Sequence, residues 1–501
     1  MDGLNVRDLK KYKDFSKKEL GQRLARLMRI AETEKIPVLV IIDGFESSGK
    51  GYVINDLVKE LNPKFYDVDV FDKASEEENL YPFITRFWKK IPQKGHTKVF
   101  DRSFYFDVMS DPNMSKKKTR QILESISGIE KNLYDDYTVI VKVFLNISQE
   151  TQKETIEKYL DSEYNAFYVD KIDLEQNKNY DKYKEHIKYV LEQTNFDFAP
   201  WNIVDSTDRK LASKDVLGLV IEELEKGIER VSTKREEGVR LKRSYEAKNK
   251  PLDDLDMDKS LSEEEYDEVL KDLQKQASSL SAEMYVKGIP TMLVFEGVDA
   301  AGKDGAIKRL VKRMDPRLYT VHAISAPDET ENSYNYLWRF YNKIPAKGYM
   351  GIFSRSWYGR VMVERVEGFA QDNEWERAFY EMLDMEKQFY DSNGLILKYF
   401  VVIDKDTQLE RFKAREEEPD KQYKITEEDW RNRNKWDEYI TAMNEMLDRT
   451  DVDYAPWIVV AGNDKKYARI KVLKEFIKHA EKRIKEIEQE EKQKISSNRE
   501  N

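Results

Sequence analysis

Residues Gly297-Val298-Asp299-Ala300-Ala301-Gly302-Lys303-Asp304 follow an apolar run, Met292–Phe295, and open a helix-forming stretch. The spacing G-x-x-x-x-G-K at a strand-to-helix turn aims backbone N–H groups and a helix N-terminus at phosphate oxygens, and the lysine adds charge. Gly297, Gly302 and Lys303 are therefore expected to bind phosphate. Position 304 is aspartate, where this pattern normally places a Ser or Thr hydroxyl on Mg2+. Asp299 and Asp304 put two carboxylates beside the loop, and either could hold the ion directly or through water. An ordinary glycine turn is the plain alternative, but strand, spacing, lysine and helix all agree on phosphate.

Cationic residues extend the pattern. Residues 303–317 hold six basic side chains against two acidic ones. On a helix Lys308, Arg309, Lys312 and Arg313 share a face at i, i+4 spacing, which suits an extended polyanion or, more plainly, a solvated surface. Trp338, Arg339, Lys343 and Lys347 come next, then the segment 353–365, FSRSWYGRVMVER. An arginine ending a buried strand is costly unless it meets an anion, and ligands sit at strand C-termini in open α/β sheets. Arg355 is so assigned to phosphate, with Arg360 and Arg365 as further candidates. A last cluster, Arg411, Arg415, Lys421, Lys424, Arg431 and Arg433 with Trp436 and Tyr439, reads as helices broken at Pro419. A lid of this kind brings arginine to a transferring phosphoryl group.

These residues sit inside a duplicated module. Residues 36–51, IPVLVIIDGFESSGKG, match 289–304, IPTMLVFEGVDAAGKD, at an offset of 253. RFWKKIPQKG matches RFYNKIPAKG and DRSFY matches SRSWY at the same offset, and Ala199-Pro200-Trp201 matches Ala455-Pro456-Trp457 at 256. The 501 residues, against ~150 per domain, thus divide into two copies at 1–231 and 261–484. A charged linker, part of which could extend a helix, is expected over 232–260, and over 485–501 a charged tail that begins as helix and then frays. Apolar runs at 38–42, 99–101, 139–145, 292–295, 351–354, 395–403 and 457–461 read as buried parallel strands alternating with helices. Zero cysteine excludes disulfides and thiolate chemistry, and four histidines leave little for a zinc site. A net charge of −10 argues against a broad nucleic-acid coat. No signal core or run of 18 apolar residues appears, so a cytoplasmic protein without membrane partners is expected.

GVDAAGKDGAIKRL, LWRFYNKIPAKG, SRSWYGRVMVERVEGF, the lid segment RFKAREEEPDKQYKITEEDWRNRNKWDEY and YAPWIVV together resemble the polyphosphate kinase 2 family. The likeness covers most of 262–475 and, more weakly, 15–225. It implies two tandem P-loop kinase-like α/β domains, each a parallel sheet flanked by helices with a helical lid. It also implies dependence on Mg2+, with Mn2+ as the alternative ion, and phosphate transfer between inorganic polyphosphate and a nucleotide. Asp299, Lys303, Arg355, Arg411 and Arg415 then become the catalytic set. The two-copy layout resembles the branch whose acceptor is AMP. One departure is Ser354, where the family usually has Asp or Asn before the arginine; this shifts metal binding onto Asp299 and Asp304.

The copies have diverged. Asp299 aligns with Glu46, Lys303 with Lys50 and Arg355 with Arg102, but Arg411, Arg415, Arg365 and Arg469 become Thr155, Tyr159, Pro112 and Ser213. The second copy is therefore expected to be catalytic and the first mainly structural. ADP or GDP as acceptor, an ATP-dependent small-molecule kinase and a non-catalytic polyphosphate scaffold remain as alternatives, and oligomerisation stays open.

Overall fold

A computed structural model describes Tyr12, residues 14–237 and residues 245–497. The first copy contains β1 (Val38–Gly44), β2 (Tyr66–Val70), β3 (Thr97–Asp101), β4 (Val139–Asn146) and β5 (Trp201–Asp205). The second contains β6 (Thr291–Gly297), β7 (Tyr319–Ala323), β8 (Met350–Ser354), β9 (Leu395–Val402) and β10 (Trp457–Ala461). The sheet orders are β2-β3-β1-β4-β5 and β10-β9-β6-β8-β7, so one order is repeated. All the pairings are parallel, with Val38 opposite Thr97 and Val139, and Thr291 opposite Met350 and Leu395.

Burial explains which strands were legible. β1 and β6 are buried at every position but the last, as expected of a parallel strand covered on both faces. The edge strands β2 and β7 have no buried position, and their sequences, YDVDV and YTVHA, lack a continuous apolar run, as does WNIVD of β5. Each copy adds a helical lid between its last two strands. In the second copy it comprises Lys405–Glu417, the 3-10 turn Pro419–Lys424, Glu427–Asn434 and Trp436–Thr450. The side chains of Lys421 and Lys424 lie outside the described structure.

Several boundaries differ from the sequence expectation. The described residues cluster into one unit drawn from 1–79, 83–238 and 328–338 and another from 80–82, 239–327 and 339–501. Segment 328–338 joins the first unit, where Asn335 Nδ2 donates to Asn132 Oδ1 at 3.0 Å. The expected linker begins as helix, because Arg209–Glu237 continues past residue 231, and 238–244 lie outside the described residues. Its last part is docked: Asp448 accepts Tyr245 OH and the backbone N–H groups of Lys248 and Asn249. Asn444 Nδ2 likewise donates to Asp253. The tail begins as helix, as expected, and stays so to its last described residue within Lys465–Ser497, while 498–501 lie outside the described residues. No helix among the described residues is long and apolar enough to cross a membrane.

One polar cluster is repeated in both cores. Lys398 on β9 is fully buried and donates to Glu386 at 2.9 Å, Tyr358 OH at 2.9 Å and the Thr450 carbonyl at 2.8 Å. Lys142 on β4 makes the same bonds to Glu130, Tyr105 OH and the Thr194 carbonyl. The Tyr358 and Trp457 rings also lie 5.2 and 5.1 Å from the Lys398 ammonium. Removing one partner of a buried pair strands the other charge, at a cost of about 3–5 kcal/mol. Glu386→Ala should therefore lower the unfolding free energy by roughly that amount, measured by urea denaturation; a change below about 1 kcal/mol would contradict the role given to the pair.

Asp384, on the helix Asp372–Asp391, is lifted to a pKa of about 7 by burial, which a hydrogen bond from Gln388 offsets only in part. The folded carboxyl keeps its proton to about pH 7, whereas the unfolded one releases it near its ordinary 3.8. Stability thus falls as pH rises through that window and levels off above it. Asp384→Asn should flatten this slope and add about 1–2 kcal/mol at pH 8, read from denaturation curves between pH 5 and 8.

Candidate functional site

The loop between β6 and the helix Lys303–Leu310 is shaped by backbone that few residues tolerate. Gly297 has φ 136°, and a Cβ there would stand 1.9 Å from the Val401 carbonyl oxygen on the neighbouring strand. Gly302 takes φ 103° as the N-cap, and no protein atom lies within 4 Å of where its Cβ would be. The first glycine is required by contact and the second by conformation. Ala300 and Arg355 also adopt left-handed φ, of 60° and 64°. Such strain in non-glycine residues clusters at functional sites.

The structure gathers four of the expected residues here. Lys303 is half-buried and donates to the carbonyls of Gly297 at 2.7 Å and Val298 at 3.2 Å. Burial and then the Arg355 charge lower its pKa, against a raising influence from Asp299. Arg355 ends β8 and lies 3.4 Å from both Asp299 and Glu428, with 43% of its side chain exposed. Asp304 is exposed and accepts from Ser354 Oγ at 3.2 Å. Beneath them, buried Glu296 accepts from Ser356 Oγ at 2.7 Å, and burial raises its pKa.

Other expected residues go elsewhere. The sequence expectation puts Arg411 on a phosphate, but its guanidinium donates to four carbonyls, those of Ala300, Ala301, Gly462 and Asn463. It clamps the loop from the lid side. Burial, followed by the charge of Arg415, lowers its pKa. Arg360 pairs with Glu364 and Glu374, and Arg365 pairs with Glu445 at 2.7 Å over the Trp375 ring. Both are spent on carboxylates within the lid-facing helices, where low exposure demands pairing. Arg339 is buried and donates to the Ser325 carbonyl. Lys308 and Lys312 are exposed and Arg309 half-buried, but the α-helix stops at Leu310. The 3-10 turn Val311–Arg313 then breaks the shared face expected for Lys308, Arg309, Lys312 and Arg313.

Two contributors were missed. Asn432 Nδ2 donates to Asp299 Oδ2 at 2.9 Å, and Gln408 Nε2 donates to the Asp299 carbonyl at 3.2 Å. A signal existed for the second, since Gln152 and Gln408 recur at the 256 offset inside otherwise diverged lids. Among the described residues no three His, Cys, Asp or Glu side chains gather as a metal site.

The first copy keeps the loop's shape and pairs its charges more closely. Ser47 and Gly49 repeat the left-handed φ values, at 59° and 92°. Arg102, however, pairs with Glu46 at 2.8 Å and with Asp72, and only 16% of its side chain is exposed. Lys50 lies 3.3 Å from Glu46 and is buried. The lid helix Lys171–Lys178 also engages the loop: Gln176 Oε1 accepts the Glu46 backbone N–H at 2.7 Å, and Asp173 accepts Ser47 Oγ at 2.6 Å. Both lid residues are buried, whereas no residue of the matching helix Glu427–Asn434 is. The chain's own side chains thus meet the donors that a phosphate would need.

Comparison with known proteins agrees with the duplication. The family model for polyphosphate kinase 2 matches residues 8–231 and again 260–488. The polyphosphate:AMP phosphotransferase of Pseudomonas syringae pv. tomato is 36% identical over 90% of this chain and 91% of its own length. The ADP-polyphosphate phosphotransferase of Pseudomonas aeruginosa is 39% identical over 42% of this chain and 69% of its own. The crystal structure described as that of a polyphosphate kinase 2 from Pseudomonas aeruginosa PA01 covers 96% of this chain and 98% of its own, with a TM-score of 0.82 at 34% identity.

Arg411→Leu removes four carbonyl contacts at once. It should cost about 2–3 kcal/mol of stability and speed amide exchange over residues 299–303, seen by hydrogen–deuterium exchange. Unchanged exchange in that loop would remove Arg411 from its role as clamp.

Proposed function

Because the chain belongs to the polyphosphate kinase 2 family, we propose that it moves the terminal phosphate of inorganic polyphosphate to AMP, forming ADP and a polyphosphate one unit shorter. The observation that carries this reading is the Lys303–Arg355–Asp299 cluster at the glycine loop of the second copy, where 43% of the Arg355 side chain is exposed. The relative named for AMP spans both copies, whereas the one named for ADP matches less than half of the chain. That difference favours AMP over ADP as acceptor.

The chemistry asks for alignment more than for a base. A nucleotide phosphate is already anionic, so the attacking oxygen needs no proton removed. The loop's N–H groups and the helix N-terminus at Lys303 hold the donor phosphates. Lys303 and Arg355 neutralise charge on the group in flight, and Glu428 releases Arg355 to it. Preformed left-handed backbone at Arg355 and Ala300 keeps these donors in place without reorganisation.

A divalent ion, when bound, would supply positive charge to offset that of the phosphates. Asp299 and Asp304 would hold Mg2+ or Mn2+. Their donors are hard oxygens, and the Ser354 hydroxyl on Asp304 adds another at the strand end. Mg2+ favours such sparse protein shells completed by substrate phosphates and water.

Catalysis is assigned to the second copy, since Arg102 and Lys50 lie closer to a carboxylate of the chain and are more buried than their counterparts Arg355 and Lys303. Lys303→Ala should lower turnover by more than ~100-fold, and Lys50→Ala by less than about twofold. The assay supplies purified protein with Mg2+, polyphosphate and AMP, and measures ADP. Loss with Lys50→Ala alone would reverse the assignment of the copies. ADP production only when ATP replaces polyphosphate would sink the donor.

A further inference from the structure

Glu367 closes the short helical turn Val363–Val366 and is nearly buried, with 6% of its side chain exposed. Arg431 Nε lies 3.1 Å from its carboxylate and Lys435 Nζ 3.2 Å. The Tyr439 hydroxyl lies 3.2 Å from Glu367 Oε1 and 3.0 Å from Asn432 Oδ1, one of which takes its proton. All these partners belong to the lid. Asn432 in turn donates to Asp299 at the phosphate loop. A single carboxylate therefore ties the base of the lid, through Tyr439 and Asn432, to the loop that carries the site.

The first copy lacks this anchor. Arg431 and Lys435 become Glu175 and Asn179 at the 256 offset. Tyr183 replaces Tyr439, and its hydroxyl donates instead to the Ser110 carbonyl at 3.4 Å. There the lid is held by buried Asp173 and Gln176. In the second copy the two cations on Glu367 are 45% and 35% exposed. With the cations open to water and the carboxylate nearly buried, these pairs hold one seat and still exchange with solvent, which suits a lid that must part to admit substrates and then return.

We propose that Glu367 is a positioning residue for phosphate transfer, seating the lid helix Glu427–Asn434 over the loop so that Asn432 meets Asp299. The inference rests on the phosphotransfer reading for its kinetic consequence and on geometry alone for the lid. Glu367 reaches no loop atom itself, so its effect is on how often the closed arrangement forms.

The test uses the full chain with Glu367→Gln, Glu367→Asp and Tyr439→Phe. It measures kcat, the KM for AMP and for polyphosphate, thermal stability, and hydrogen exchange over 427–434. Glu367→Gln should lower kcat by ~10-fold or more with either KM moving less than about threefold, and should accelerate exchange in the lid helix. Glu367→Asp should restore part of kcat. A purely structural role would lower the melting temperature while leaving kcat intact at temperatures well below it. That result, or wild-type exchange over 427–434, overturns the proposal. If Glu367→Gln does not fold, Tyr439→Phe carries the test, because it leaves both ion pairs and breaks only the relay; unchanged kcat and exchange would then refute it. Should the wild type form no ADP, the functional reading fails, and the exchange data still decide whether Glu367 seats the lid.

Discussion

A carboxylate sealed in the core holds this molecule's working parts in register. Glu386 accepts Trp357 Nε1, Tyr358 OH and Lys398 Nζ, and Lys398 passes the connection on to the Thr450 carbonyl. Thr450 Oγ1 then receives Trp457 Nε1 at the start of the last strand. One buried network so joins a central strand, two helices, an edge strand and the segment that begins with Arg355. Each member satisfies another, which is the condition under which polar groups survive away from water. Because Trp357 and Tyr358 come two and three residues after the strained arginine, the fixed core also fixes where that arginine ends its strand.

The same network, less the tryptophan bond because Phe104 stands for Trp357, recurs in the first copy around Glu130 and Lys142, although the surface chemistry there has changed. Core and site have therefore been constrained separately. Replacing one member of a buried charged network leaves the rest unpaired, so the network resists piecemeal change. In the first copy Gln176 and Asp173 bond to the glycine loop and Glu46 and Asp72 pair with Arg102, while the loop keeps its backbone shape.

The lids carry the contrast further. Arg411 belongs to the loop's framework, because four carbonyl contacts leave its guanidinium little to offer a substrate. Arg360 and Arg365, which also read as phosphate ligands, brace helices against one another through Glu364, Glu374 and Glu445. Cationic richness along this part of the chain thus serves two purposes. Some groups bear on the loop, and others balance the many carboxylates of the lid helices.

The sequence by itself determined the duplication, the inner strands and the glycine loop. Each of these is written in local pattern: a repeated string, an unbroken apolar run, or two glycines whose φ values no other residue adopts cheaply. Strands β2, β5 and β7 escaped because short segments interrupted by polar residues carry no continuous apolar run. Lys303, Asp299 and Arg355 were legible as residue types. Only the tertiary structure decided which charges stay accessible, because pairing depends on partners 56 to 80 residues away, as with Arg355 and Asp299 or Arg365 and Glu445. An arginine's type shows that it seeks an anion; folding alone selects whether that anion is a carboxylate of the chain or a phosphate from outside.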